Sequence, residues 1–221
     1  MGERENIPIG QTVTREVTSQ DLDRLITFDE RVVFGSVDYP PDHLPGHLSK
    51  IDLDKALSRG DILRAAFDLS GEIAAYYWFE LQHDKDRLYI ASMIIDPKYW
   101  DMGVGGKILD IADTIAKANG LSKCVLSVDP FNGRAVNAYL KHGYQMIGYE
   151  EDYFGPEVPN SDRFLMEKNL VSIRSFQGRE EETTCDNPEQ IKRILEQGYI
   201  GTGLIRAPDK DNTKNTIVFR K

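Results

Sequence analysis

Cysteine and long apolar runs are both scarce in this sequence, and each shortage excludes a class of protein. The two cysteines, Cys124 and Cys185, are far apart and fit no metal-ligand spacing. Cys124 lies in an apolar run and is expected to be a buried thiol. No apolar run approaches the roughly 18 residues of a transmembrane helix. The polar start, "MGERENIPIGQTV", lacks the apolar segment of a signal peptide, so we expect a cytoplasmic protein without a membrane partner.

An excess of basic charge is also missing, because the formal net charge is −9. Nucleic-acid binding relies on clustered Lys and Arg side chains that neutralise phosphates, so no nucleic-acid partner is expected. The sequence is 40% hydrophobic, which is enough for a core and argues against general disorder. Its 221 residues suit one large domain, or one domain with an extension.

Residues 11–170 alternate between strand-like and helix-like patterns. The segment 35–47 contains three prolines and two glycines and is predicted to be a loop. The dipeptide Ser70-Gly71 predicts a two-residue hairpin turn. Helices are expected to begin near Asp21, Ser49, Gly105 and Asn132. The predicted strands are "QTVTREVT", "DILRAAFDL", "EIAAYYWFELQ", "RLYIASMIID", "KCVLSVD", "YQMIGYE" and "RFLMEKNL".

The character of the chain changes after Leu170. The segment "GREEETTCDNPEQ" is polar and acidic and is interpreted as a linker or surface loop. Residues 188–197 are predicted to form a helix with Pro188 near its start. Two strands, "YIGTGLI" and "NTIVFRK", are expected to follow. Because two short strands are unstable alone, we expect this segment to extend the sheet beyond "RFLMEKNL" or to pack on a partner chain.

Residues 96–109, "DPKYWDMGVGGKIL", join an apolar strand to a helix through three glycines in four residues. The first N–H groups of a helix have no internal partner, and glycines let an anion approach them closely. The turn therefore suits a phosphate, with Lys107 nearby as a positive charge. A plain tight turn is the alternative. The spacing fits neither a P-loop nor a dinucleotide fingerprint, since no Ser or Thr follows Lys107 and position 108 is Ile.

Two signatures in residues 11–170 resemble the GNAT superfamily of N-acetyltransferases. The first in that family is a strand, Val-x-Pro, Arg/Gln-x-x-Gly-x-Gly/Ala and a helix, and here it is Ile95-Asp96-Pro97 followed by Trp100, Gly103 and Gly105. The second is Asn-x-x-Ala, a Tyr and Gly-Phe/Tyr, and here it is Asn132, Ala135, Tyr139 and Gly143-Tyr144. One position departs from the pattern, because Trp100 replaces the family's Arg or Gln.

The resemblance implies an α/β (α+β) fold with a mixed, mostly antiparallel central sheet and helices on both faces, to which the pattern after Leu170 adds a C-terminal α-β-β extension. We therefore expect an acetyltransferase domain at 1–170 and an extension at 171–221. The resemblance also implies acetyl-CoA as cosubstrate and transfer of its acetyl group to a primary amine of a small molecule or a protein. The strand that ends at Ile95 would align the thioester, and the glycine turn would bind the pyrophosphate. The residues implied to bind acetyl-CoA are Met93, Ile94, Ile95, Met102, Gly103, Val104, Gly105, Gly106, Lys107, Asn132, Arg134, Ala135 and Tyr139.

The catalytic groups follow less directly. By resemblance, Tyr139 is the acid that protonates the CoA thiolate, and Asn132 either holds the pantetheine arm or caps its helix. Arg134 either faces the phosphates or is a solvated charge. Glu80 is the best single prediction for a general base, and a water relay is an alternative. The other candidates for the base are Asp29, Glu30, His43, His47 and His83.

The acceptor cannot be read from the residues, although the acidic balance favours a cationic amine. The loop 35–48, which includes Tyr39, is expected to cover the acceptor site. Two alternatives stay open: a GNAT-like protein that binds acyl-CoA without transfer, and an enzyme for longer acyl groups. The tail is compatible with a homodimer.

Overall fold

A computed structural model of the chain describes residues 7–9, 12–36, 48–158, 161–172, 175–176, 178–209 and 211–221. These residues form two compact units: a first unit up to Leu121, and a second unit from Ser122 to Lys221. Both combine α-helices with antiparallel strands, which confirms the predicted fold class. None of the helices in the described ranges is both long and apolar enough to cross a membrane.

The first unit contains a five-stranded antiparallel sheet in the order β1-β2-β3-β4-β5. Sequential strands are neighbours, so the sheet is a simple meander. The strands are β1 Ile7–Ile9, β2 Thr12–Glu16, β3 Ile62–Phe67, β4 Ile73–Gln82 and β5 Arg87–Ile95. The helices are α1 Leu22–Ser36, α2 Lys50–Arg59 and α3 Val104–Ala118.

Local signals set the ends of α2 as the sequence predicts. The Ser49 side chain accepts a hydrogen bond from the Asp52 N–H, which satisfies one of the unpaired donors of the first turn. Gly60 ends the helix in the left-handed region, with φ of 76°, where a side chain would be strained. The hairpin turn after β3 is longer than predicted, because the Asp68 carboxylate accepts from the N–H groups of both Ser70 and Glu72.

The core of the first unit lies where α1 and α2 pack on one face of the sheet. Leu25 and Phe28 of α1 and Leu53 of α2 contribute to it, together with Tyr76 and Trp78 of β4. Residues on β4 alternate between faces, so Tyr77 and Phe79 lie on the opposite face, with their rings stacked 4.6 Å apart. On the first unit, α3 contacts β4 and β5.

The second unit contains a six-stranded antiparallel sheet in the order β6-β8-β7-β10-β11-β9. Its helix α5 buries Ile191 and Ile194, as its narrow apolar stripe predicts, and contacts β7 and β9. The strands are β6 Lys123–Val128, β7 Gln145–Glu150, β8 Arg163–Asn169, β9 Glu180–Thr184, β10 Ile200–Ile205 and β11 Thr216–Arg220. The helices are α4 Gly133–Lys141 and α5 Pro188–Glu196.

Two expectations for the tail are wrong. The acidic segment interpreted as a linker contains β9, which pairs with β11 from Glu180 to Thr184. As the last strand of the order it exposes one edge, so the charged side chains that suggested a loop are tolerated there. The tail also joins the sheet at β7, where Gly201 lies opposite Met146. It cannot extend the sheet beyond β8, because β6 and β7 occupy both edges of that strand.

Gly201 makes this junction possible. A Cβ atom at Gly201 would lie 2.8 Å from the Met146 Cβ and 3.4 Å from the Ile217 Cγ2. We therefore expect Gly201→Ala to destabilise the protein by about 1–3 kcal/mol through overpacking. Urea unfolding monitored by circular dichroism measures this, with Gly35→Ala as the control, because a Cβ there meets no atom of the described residues within 4 Å. Equal stability of the two variants would contradict the close packing at β7.

Candidate active site

The turn between β5 and α3 has the geometry of an anion site. Gly103 adopts φ of 78° in the left-handed region and immediately precedes α3. The first hydrogen bond of the helix runs from the Lys107 N–H to the Gly103 carbonyl, over 3.1 Å. The amides of Val104, Gly105 and Gly106 come before it, at the positive end of the helix dipole.

The surface of this turn is open within the first unit. Met102 is 65% exposed, and Lys107 is exposed as well. A Cβ atom built at Gly103 or Gly106 meets no atom within 4 Å in the described part of the chain, whereas one at Gly105 would lie 3.3 Å from the Ile95 Cδ1. The glycines thus leave room beside the helix start, and Gly105 also packs on the end of β5.

Trp100, the departure from the family pattern, closes the turn. Its indole Nε1 donates a hydrogen bond of 2.9 Å to the Ile95 carbonyl, the last of β5. Its backbone N–H donates to the Pro97 carbonyl. The tryptophan therefore fixes the path of the chain from strand to helix, a role that does not need a guanidinium or an amide.

Asp96 also stabilises this turn, although the sequence predicted no role for its side chain. Its carboxylate, only 1% exposed, accepts from the Lys98 N–H at 2.9 Å and pairs with the Arg31 guanidinium at 2.7 Å. Burial opposes its charge, but these hydrogen bonds outweigh burial and lower the pKa of Asp96. Arg31 belongs to α1, so a charged pair ties that helix to the start of the turn.

Strand β5 carries a bulge next to the predicted thioester residues. Trp78 pairs with Ser92 and Phe79 pairs with Ile90, so Ala91 is an extra residue in β5. Bulges bend a strand and redirect the groups that follow. Met93, Ile94 and Ile95 come after it and are half-buried. Their backbone lies on the path from the bulge to the glycine turn.

Three polar side chains form a hydrogen-bonded chain on the α1 side of the sheet. The Tyr76 hydroxyl donates to the Asp29 carboxylate and lies 2.8 Å from the Ser92 Oγ. The other Asp29 oxygen accepts from the Leu48 N–H at 2.9 Å. Burial, and then the neighbouring Asp29 charge, raise the pKa of Tyr76 well above its usual value.

The candidate bases occupy different environments. Glu80 accepts from the Arg59 guanidinium at 3.2 Å and from the Gln82 amide at 2.9 Å. Glu30 and His83 are exposed, whereas Asp29 is 1% exposed. Tyr39, His43 and His47, predicted near the acceptor, lie outside the described residues.

In the second unit, a side-chain cap marks the start of α4. The Asn132 side chain accepts from the Ala135 N–H at 3.1 Å, so its capping role is confirmed and a contact to pantetheine stays a prediction. Asp129, just before it, accepts from the Phe131 N–H and lies 3.4 Å from the buried Arg163 guanidinium. Arg134 is exposed on the first turn.

Tyr139 lies near the C-terminal end of α4 and is 7% exposed. Its ring is 5.8 Å from that of Tyr144. Burial alone raises the pKa of Tyr139, so its hydroxyl keeps its proton throughout the neutral range. A buried hydroxyl that stays protonated can act as a proton donor.

The tail also contacts α4, which the sequence did not reveal. A Cβ atom at Gly133, the first residue of α4, would lie 2.5 Å from the Asn215 Nδ2. Asn215 is 1% exposed, and its Oδ1 accepts from the Ala207 N–H at 3.0 Å. Only glycine fits at this close approach, so Gly133 and Asn215 hold the helix start against the tail.

Comparisons with known proteins agree with this geometry. The model of the acetyltransferase (GNAT) family matches residues 35–144. A GNAT-family acetyltransferase from Streptococcus pneumoniae is 28% identical, with a TM-score of 0.54 over 72% of this chain and 99% of its own. The ribosomal-protein-S18-alanine N-acetyltransferase of Escherichia coli is 14% identical, with a TM-score of 0.57 over 76% and 99%. No curated protein matches the chain by sequence.

A third solved structure carries the cosubstrate. It is a GNAT superfamily phosphinothricin acetyltransferase from Sinorhizobium meliloti in complex with AcCoA, 15% identical, with a TM-score of 0.56 over 76% of this chain and 95% of its own. The family uses acetyl-CoA as the acetyl donor. The matched residues and the shared fold together show that this chain belongs to the GNAT acetyltransferase family.

Proposed function

We propose that the protein is an N-acetyltransferase that moves the acetyl group of acetyl-CoA to a primary amine by direct attack. The observation that supports this most is the turn before α3, where a left-handed Gly103 precedes a helix start with open space beside it. A pyrophosphate would fit there, since the amides of residues 102–106 would donate to it and the Lys107 side chain would add a positive charge.

The end of β5 would hold and polarise the thioester of acetyl-CoA. A backbone N–H among Met93, Ile94 and Ile95 would donate to the acetyl oxygen, where negative charge develops during attack. The bulge at Ala91 and the Trp100 bond to the Ile95 carbonyl fix this stretch in place. Because Trp100 has this structural task, its presence does not favour the reading of a non-catalytic binder.

On α4, Tyr139 would protonate the CoA thiolate as it leaves. Its buried hydroxyl retains a proton at neutral pH, as this role requires. Asn132, Arg134 and Ala135, at the capped start of the helix, would bind the pantetheine arm and phosphates of acetyl-CoA. The sequence predicts Glu80 as the base, with Asp29 among the alternatives, and the Glu80 carboxylate already accepts hydrogen bonds from Arg59 and Gln82.

The acidic balance of the chain favours a cationic acceptor, because the protein's field steers opposite charge toward it. The proposal is tested by thiol release from acetyl-CoA with a polyamine, a free amino acid and peptides with a free amino terminus or lysine. We expect amine-dependent release that exceeds hydrolysis at least tenfold for one of these classes. Binding of CoA without amine-dependent release would instead support a non-catalytic acyl-CoA binder.

We further propose that residues 1–170 are the acetyltransferase domain and that residues 171–221 are an extension that depends on it. Deletion of residues 179–221 should lower the melting temperature and the solubility, because it uncovers the edge of β7 and removes the buried α5. Calorimetry and light scattering measure both, and scattering also reports whether the full chain is a homodimer. A truncated protein with unchanged melting temperature, oligomeric state and activity would show that the tail is dispensable.

A further inference from the structure

Asp29, Tyr76 and Ser92 connect the core of the first unit to the strand that is proposed to hold the thioester. Asp29 lies on α1, Tyr76 on β4 and Ser92 on β5, and each is hydrogen-bonded to the next. Tyr76 is fully buried and Asp29 is 1% exposed, while Ser92 is half-buried. The chain therefore has one end in the core and the other at the surface of β5.

The direction of these hydrogen bonds follows from which groups carry a proton. A carboxylate only accepts, so the single Tyr76 proton is directed to Asp29, whose second oxygen accepts from the Leu48 N–H. The Tyr76 oxygen must then accept from the Ser92 hydroxyl. This leaves the lone pairs of the Ser92 oxygen available to accept a proton from another group.

Ser92 lies beside the residues proposed to hold the thioester. Ser92 lies opposite Trp78 in the β4–β5 pair, so it lies on the face that α1 and α2 cover. It directly follows the Ala91 bulge and directly precedes Met93, the first of the predicted thioester residues. A buried carboxylate is costly to retain in an apolar core, and apolar side chains at positions 29 and 76 together would fill the space without that cost.

We propose that these three hydrogen-bonded side chains remove a proton from the protonated acceptor amine, and that Asp29 is the final acceptor of that proton. The inference rests on the proposed acetyl transfer. The amine arrives as an ammonium ion, and the Ser92 oxygen accepts one of its protons as the Ser92 proton moves to Tyr76 and the Tyr76 proton moves to Asp29. The free amine nitrogen then bonds to the acetyl carbon and loses its second proton to water, and the carbon–sulfur bond breaks. The thiolate leaves with its electron pair and takes the proton of Tyr139, which water replaces. Asp29 returns its proton to water along the same path.

The test compares two nucleophiles with Ser92→Ala and Tyr76→Phe. A primary alkylamine is protonated at pH 7 and needs a base, whereas hydroxylamine is largely neutral there and does not. We expect kcat with the alkylamine to fall at least about tenfold in both variants, with a much smaller change for hydroxylamine. Ser92→Thr, which keeps the hydroxyl, should restore the alkylamine rate.

The control is Tyr77→Phe, which removes a buried hydroxyl from the opposite face of β4 and should leave both rates unchanged. Ser92→Ala keeps the test valid if Tyr76→Phe fails to fold, because it alters only a half-buried side chain. Wild-type alkylamine rates in folded Ser92→Ala, or equal losses with both nucleophiles, overturn the relay. A loss seen in Glu80→Gln alone assigns the base to Glu80. A wild-type protein that acetylates neither nucleophile overturns the proposed function, and the relay with it.

Discussion

Gly105→Val is expected to weaken CoA binding at least tenfold, or about 1.4 kcal/mol. The substitution places a branched side chain beside the amides proposed to hold the pyrophosphate, where glycine now leaves them open. It also crowds the end of β5, since even a Cβ there lies 3.3 Å from the Ile95 Cδ1. Isothermal titration calorimetry with CoA measures the loss.

Thr114→Val is the matched control, because it places a valine on an exposed position of the same helix, away from the turn. It should bind CoA as the wild type does. The melting temperature of each variant separates a loss of binding from a loss of folding. Wild-type affinity in folded Gly105→Val would show that the pyrophosphate does not bind at this turn.

Tyr139→Phe is expected to lower kcat by roughly 10²–10⁴-fold with little change in the Kd for acetyl-CoA. Phenylalanine keeps the ring that packs 5.8 Å from Tyr144 and removes only the proton donor. Because burial raises the pKa of Tyr139, the donor is present through the neutral range and the wild-type rate should show no loss from its ionisation there. Rapid-quench measurement of the chemical step tests this.

Tyr144→Phe serves as the comparison, since it changes the ring partner of Tyr139 and leaves the proposed acid in place. It should retain nearly the wild-type chemical rate. If Tyr139→Phe also retains that rate when chemistry is limiting, Tyr139 is a packing residue. A similar loss in both variants would instead assign the effect to the fit of the two rings.

Elements with strong local signals were predictable from the sequence. Ser49 marks the start of α2 and Asn132 the start of α4, because each side chain accepts a hydrogen bond from a backbone N–H of the first helical turn. Gly60 marks the end of α2 through its left-handed conformation. The glycine turn was equally visible, since its conformation depends on glycines close together. Interactions between residues close in the sequence are sufficient to predict these features.

Contacts between distant segments were not predictable. Asp29 and Tyr76 are 47 positions apart, and Arg31 and Asp96 are 65 positions apart, so no spacing rule joins them. The strand β9 has an acidic composition typical of a loop and forms because β11 offers it an edge. The signals that could have helped are an Asp and a Tyr on faces otherwise apolar, which suggest a buried polar pair.

Direct transfer of an acetyl group from acetyl-CoA to an amine can be followed in a single turnover. A single turnover of the full-length protein with acetyl-CoA and the best amine is quenched over time, and mass spectrometry follows the amine, CoA and the protein. We expect acetylated amine and free CoA to appear together, one for one, while the mass of the protein stays constant. Release of CoA without acetylated amine, or an acetyl group that appears first on the protein, would contradict direct transfer.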